Sequence, residues 1–362
     1  MARRPRLLPV VGTARNLLTR SLEGILAQTP VTDADLPLLL VACSGGPDSL
    51  ALAAVAAHLA RTGRARVGAV VVDHGLHPDS SAIAHRAAAT VRALGLDPVQ
   101  VHSVTVDHDG GPEAAARGAR YAALDSAAAA LGASAVLLGH TLDDQAEQVL
   151  LGLARGSGTR SLAGMPARRG SYLRPFLDLR RTDTEAICGF YALEPWRDPA
   201  NADPAFARAR VRGEVLPFLE DRLGPGIAQA LARSARILGQ DADLLAELGL
   251  EAYTALRIEG DDGEVLLPED GLRALPAALR QRVLARAALE LGAVQPSFER
   301  LRAAESLLQR KGSAGPVQLG GKVSVRRQVR GRSVLRGEPS YGNLVLGSNG
   351  DGVRTSRRPT QE

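Results

Sequence analysis

The chain has 362 residues, enough for two domains, and 45% hydrophobic with 23% charged residues supports a real core. Aromatics at 3% exclude a nucleic-acid binder built on many stacked rings. Lys+Arg number 44 against 39 Asp+Glu, a mildly basic balance compatible with a polyanionic partner.

Residues 1–36 read as a basic arm followed by one amphipathic helix. From Pro37 the pattern changes. Four apolar runs, 38–43, 67–75, 98–106 and 134–140, alternate with Ala-rich helical segments at 48–61, 79–94, 113–131 and 142–155. Such alternation predicts βαβ units and a doubly wound parallel sheet buried on both faces. Ligands in open sheets of this type sit beyond the carboxyl ends of the strands. A shorter strand at 172–179 and a helix around 181–192 complete a catalytic α/β domain over 37–220. A Pro/Asp/Asn-rich loop at 194–212 enters a basic helix. From 224 to 336 a smaller, mainly helical domain is expected. It has helices at 226–257, 276–292 and 297–310 and two or three short strands within 317–336. Residues 337–362, rich in Gly, Ser, Pro and Arg, are expected to be disordered.

Cys43 and Cys188 are too few for a disulfide framework or a four-cysteine metal site, and fit a reducing cytoplasm. No apolar run approaches the roughly 18 residues of a membrane span, so no membrane partner is expected. Signal-peptide character is lacking in the first residues.

The first strand ends in Ser44-Gly45-Gly46-Pro47-Asp48-Ser49. Two glycines admit close backbone approach to an anion, and Pro47 suits a first helical turn. The helix start adds free N–H groups and positive dipole. Ser44 and Ser49 add hydroxyl donors. Asp48 is out of place in an anion site unless it holds Mg²⁺ shared with phosphates. No Walker sequence is present. His140, Asp143, Asp144 and Glu147 gather where the fourth strand meets its helix. Spacings of three and four residues turn at least two of the carboxylates toward one cleft.

SGGPDS resembles the pyrophosphate loop of the N-type ATP pyrophosphatases. That resemblance implies ATP cleaved to AMP and pyrophosphate, adenylation of an oxygen, and displacement of AMP by a nucleophile. Asp73 or His74, in VDHGL after the second strand, then face adenosine. With ARxxRY (Arg117, Arg120, Tyr121), GHxxDDQxE, RGxG (Arg155), LxGM, RPFL and DPxNxD, the stretch 37–220 resembles the tRNA(Ile)-lysidine synthetase family, in a short form without the further carboxyl-terminal domain of longer members. The family usually has Thr where Gln148 stands and Asn where Ala209 stands. The resemblance implies an isoleucine tRNA with a CAU anticodon and free L-lysine as partners, and admits a homodimer. The implied chemistry is attack of the wobble cytidine's oxygen on ATP, then attack of the lysine amine. On this reading Asp48, with Asp143 or Asp144, holds Mg²⁺. The loop and His140 bind ATP. Arg117 or Arg155 meets charge on the α-phosphate, and Glu147 or Asp143 takes the amine's proton. Arg208, Arg210 and Arg212 lie along the RNA backbone. The rivals are a tRNA thiolase, a small-molecule amide synthetase and a non-catalytic nucleotide-binding protein.

Overall fold

A computed structural model describes residues 7–27, 36–75, 78–104, 112–310, 314–328 and 342–348. The first six residues, Leu76, His77 and residues 337–341 and 349–362 of the tail lie outside these described residues. The chain divides into two compact units, Met1–Gly239 and Gln240–Glu362.

In chain order the first unit begins with helices α1 (Pro9–Ser21) and α2 (Glu23–Leu26), strand β1 (Leu38–Ala42) and α3 (Pro47–Arg61). There follow β2 (Arg66–Asp73), α4 (Ser80–Ala93), β3 (Val99–Ser103), α5 (Pro112–Leu131) and β4 (Ala135–Leu138). Then come α6 (Leu142–Ala154), α7 (Thr159–Leu162), β5 (Arg168–Arg169), β6 (Tyr172–Leu173) and α8 (Arg181–Phe190). The sheet order is β3-β2-β1-β4-β6-β5. All neighbours run parallel except the edge pair β5–β6. The two-residue repeat of a strand puts alternate side chains on opposite faces. Leu39, Val41, Val67, Ala69 and Val71 pack with α1, α3, α4 and α8. Leu38, Leu40, Val70, Val136 and Leu138 pack with α5. The apolar runs are continuous because both faces are covered.

The expected strand over 172–179 shrinks to Tyr172–Leu173. Pro175 lacks the N–H that a sheet ladder requires. The basic stretch forms α9 (Ala207–Arg210), a π-helical turn over Val211–Val215, and α10 (Leu216–Leu223). Pro217 in the first turn of α10 supplies no N–H, and the widened turn lies directly before it. Helix α11 (Ile227–Leu256) follows.

The second unit carries the expected helices and short strands, and its sheet is larger than expected, with five antiparallel strands. Its strands are β7 (Ile258–Glu259), β8 (Val265–Pro268), β9 (Ala314–Gly320), β10 (Val323–Gln328) and β11 (Asn343–Ser348). They are ordered β7-β8-β11-β10-β9. Helices α12 (Glu269–Ala274), α13 (Ala277–Glu290) and α14 (Phe298–Ser306) accompany them. Strand β11 lies inside the tail expected to be disordered. Leu344 and Leu346 are fully buried in this unit's core, which supplies the ordering energy that composition alone concealed.

Candidate active site

The residues 44–49 join β1 to α3, with Gly45 at φ 80° and Gly46 as the N-cap of the helix. The hydroxyl of Ser49 donates to the carbonyl of Gly46 at 3.0 Å and accepts from the amide of Ser44 at 3.2 Å. These bonds close the loop, while the first-turn amides of α3 have no partner within the helix. Gly139, just after β4, fits against this loop. A Cβ there would lie 2.9 Å from the backbone carbon and oxygen of Asp48.

Beside the loop, three carboxylates surround one guanidinium. Arg181 reaches Asp48 at 3.5 Å, Asp144 at 3.1 Å and Glu147 at 3.6 Å. Asp48 also accepts a 2.5 Å hydrogen bond from Thr184. Burial pushes the Asp48 carboxyl above its ordinary range, against the opposing pull of Thr184 and Arg181. Burial likewise pushes Asp144 up, but the Arg181 charge and the amide of Thr141 outweigh it and hold the carboxyl below its usual range. Thr141 and Asp144 form the capping box of α6, with the Thr141 amide 2.8 Å from the carboxylate.

Glu147 is wholly buried. Arg212 grips it with two bonds of 2.7 and 3.0 Å, and Arg208 stands 3.4 Å away. Such forked pairing offsets the cost of burying the charge. Arg208 also donates to Gln148 at 3.2 Å. The guanidinium of Arg210 turns instead to the carbonyls of Pro204 and Ala205. Asp143 accepts from the Arg180 side chain at 3.1 Å and from the Arg181 amide at 2.8 Å, capping α8.

His140 lies next to this cluster. Burial is the main reason its pKa falls to about 4, so it is neutral near pH 7, and its Nδ1 is buried without a hydrogen-bond partner. At the end of β2, Asp73 accepts the amide of Gly75 at 3.0 Å, and Arg120 donates to His74 at 3.3 Å. Burial lowers the pKa of His74, with the Arg120 charge adding to the effect. Arg117 stacks on Tyr121 at 5.2 Å. Arg155 follows the last turn of α6, about 17 Å along the axis from Asp144 at 1.5 Å per residue.

The structure thus gathers Asp48, Asp144, Glu147, Arg208 and Arg212 around Arg181, with Asp143 joined through Arg180. Asp73 and His74 occupy the neighbouring strand end, and Arg155 lies at the far end of α6. Sequence reasoning missed Arg180, Arg181 and Thr184. A signal was present: two arginines opening a helix oppose its dipole, and that cost needs nearby anions to offset it. Gln145 was passed over as well. Its side chain holds both the amide and the carbonyl of Met165, at 2.6 and 2.8 Å, so it ties the LAGM turn to α6.

A cavity of about 150 Å³ opens on the cluster, lined by Asp143, Glu147, Arg180, Arg181 and Arg212 and by Leu216, Pro217, Glu220 and Ala228. Glu220 caps the start of α11 by accepting the amide of Gly226 at 2.6 Å.

Comparison with known proteins gives two family matches. The PP-loop domain model matches residues 18–219, and the TilS substrate binding domain model matches residues 267–331. The chain is 52% identical over 290 residues to the tRNA(Ile)-lysidine synthase of Leifsonia xyli subsp. xyli, covering 80% of this chain and 87% of that protein. Identity to the tRNA(Ile)-lysidine synthase of Streptomyces coelicolor is 50% over 305 residues, covering 83% and 85%. Among solved structures, the U34-tRNA thiolase NcsA from Methanococcus maripaludis, with its 4Fe-4S cluster, superposes with a TM-score of 0.51. It is 17% identical and covers 63% of this chain and 80% of that one, a likeness of fold alone.

Proposed function

Because the chain belongs to the tRNA(Ile)-lysidine synthase family, we propose that it ligates L-lysine to C2 of the wobble cytidine in an isoleucine tRNA with a CAU anticodon. ATP is cleaved to AMP and pyrophosphate in the process. The observation that carries this reading is a cavity lined by both acidic and basic side chains, joined through Arg181 to Asp48 of the 44–49 loop. Free lysine needs cations for its carboxylate, anions for its amines and apolar walls for its methylenes. Arg180 and Arg212, Asp143 and Glu220, and Leu216, Pro217 and Ala228 supply these in turn.

The backbone of residues 44–49 cradles the β- and γ-phosphates, with Ser44 and Ser49 shaping the loop. Asp48 and Asp144 converge on one cation, the Arg181 guanidinium, and present the hard oxygens Mg²⁺ prefers. Among the described residues no three His, Cys, Asp or Glu side chains gather to hold a metal by themselves. That is compatible with Mg²⁺, which in nucleotide sites takes one or two carboxylates and completes its shell with phosphate and water. We therefore place it on Asp48 and Asp144, the two aspartates that share the Arg181 guanidinium beside the loop. Bound there, Mg²⁺ supplies neutralisation of the phosphates.

The chain's own groups do the rest. The neutral ring of His140 offers its unpartnered Nδ1 to the nucleotide, and Asp73 and His74 border the adenosine. Arg117 and Arg181 meet charge developing on the α-phosphate as the cytidine O2 attacks and pyrophosphate leaves. The lysine amine, mostly protonated near pH 7, loses its proton to Asp143 at the cavity wall, attacks C2, and AMP departs. Arg208 and Arg212 retain side-chain exposures of 32% and 28%, and with Arg210 they form the basic stretch for RNA phosphates. Assembly as a homodimer and a cytoplasmic location belong to the same reading; among the described residues no helix is long and apolar enough to cross a membrane.

The test is direct. Protein, ATP, Mg²⁺, bulk tRNA and labelled lysine should place label in acid-insoluble RNA. Pyrophosphate release without label in RNA would point to another adenylating activity and sink this reading.

A further inference from the structure

Trp196 is the chain's single tryptophan, and it stands outside the acid–arginine cluster. Its amide donates to the carbonyl of Gly45 at 2.8 Å. The Gly45–Gly46 peptide is trans, so the Gly45 carbonyl and the Gly46 N–H share one plane and point in opposite directions. Holding the carbonyl therefore fixes where the Gly46 N–H points. It faces away from Trp196, toward the side of the loop where the Ser44 hydroxyl lies 3.5 Å off. Gly45, at φ 80°, has a backbone that can rotate at little cost, and the Trp196 bond adds an outside restraint to the long Ser44 contact within the loop.

The space around Gly45 is also closely bounded: a Cβ added there would lie 3.1 Å from the Cβ of Ala87, on α4, and 3.9 Å from the Cβ of Trp196. Next to Ala87, the guanidinium of Arg86 stacks over the indole at 5.6 Å, so α4 holds the tryptophan as well as the loop.

We propose that Trp196, pinned by Arg86, is a positioning residue that sets the Gly45–Gly46 peptide and so preorganises the loop for the leaving pyrophosphate. This rests on reading residues 44–49 as the pyrophosphate site. It touches neither the lysine cavity nor the RNA contacts, so its effect is confined to ATP and pyrophosphate.

Trp196→Pro removes the amide donor, and Trp196→Ala keeps it while removing the indole. In the complete reaction with saturating tRNA and lysine, Trp196→Pro should raise KM for ATP and the inhibition constant of pyrophosphate about tenfold. That is the worth of one charge-assisted hydrogen bond left misaligned. Trp196→Ala and Arg86→Ala should raise both about threefold, within the range of one exposed cation–π contact. Trp196→Phe should restore wild-type values, and KM for lysine should stay constant throughout. Unaltered pyrophosphate inhibition in Trp196→Pro overturns the proposal, and so does an equal rise in KM for lysine. Should Trp196→Pro fail to fold, Trp196→Ala and Arg86→Ala decide, and wild-type pyrophosphate inhibition in both overturns it. A wild-type protein that releases no pyrophosphate from ATP contradicts the function instead, which keeps the two failures distinct.

Discussion

The pairing of Glu147 with Arg212 can be tested by a double-mutant cycle. Glu147 is fully buried, and Arg212 bonds to both of its oxygens. Arg212→Gln leaves that charge buried with only Arg208 at 3.4 Å and Arg181 at 3.6 Å. Removing one partner of a buried pair costs about 3–5 kcal/mol, and the two remaining arginines put this case at the low end, about 3 kcal/mol. For a unit of this size each kcal/mol moves the unfolding midpoint by about 2–4 °C, so a fall of about 6–12 °C is expected. Glu147→Gln removes the buried charge while Arg212, 28% exposed, can hydrate, so its cost is about 2 kcal/mol.

If the two residues act as a pair, the double variant should cost at least about 1 kcal/mol less than the summed singles. Arg210→Gln is the control, since among the described residues that guanidinium bonds the loop carbonyls of Pro204 and Ala205; its midpoint should move by less than about 2 °C. The assay is thermal unfolding followed by far-UV circular dichroism, with the transition of the first unit read separately from the second. Costs that add to within about 0.5 kcal/mol refute the pairing.

Asp48→Asn should abolish ATP-dependent pyrophosphate release while leaving tRNA binding near wild type, measured by product release and filter binding. Gly139→Ala should both weaken ATP binding and destabilise the first unit by about 1–3 kcal/mol, because its Cβ meets the Asp48 backbone at 2.9 Å; unchanged KM and midpoint would count against that contact. His140 has a folded pKa near 4 against 6.5 ordinarily, so between those values the unfolded chain binds more protons. Stability should therefore fall as pH drops through that window, and a His140→Gln variant should show a shallower fall in unfolding midpoint. Exchanging Arg210 for Gln should flatten the salt dependence of tRNA binding by about one counterion; an equal slope would remove it from the RNA path.

How much of this was legible in the sequence depends on the range of the interactions. Strands β1 to β4 were readable because both faces of a parallel sheet are covered, which writes continuous apolar runs into the chain. The phosphate loop was readable because glycines, proline and a helix start must be neighbours to make it. Strand β11 was not, because its partners β8 and β10 are long-range and its flanks carry the composition of a tail. The same holds for the site. Asp143, Asp144 and Glu147 share one helix turn, so their spacing exposed them. Arg181 lies 133 residues from Asp48 and 37 from Asp144, distances over which no periodicity operates. The arginines at 208 and 212 show the same limit. Their basic run suggested phosphate, and their i,i+4 spacing put them on one face. Only the fold reveals that this face also meets a buried carboxylate. A cation near RNA and a cation holding an acid look identical in one dimension. What separates them is desolvation: Glu147 has no water to turn to, so whatever else Arg212 contacts, it must first neutralise that charge.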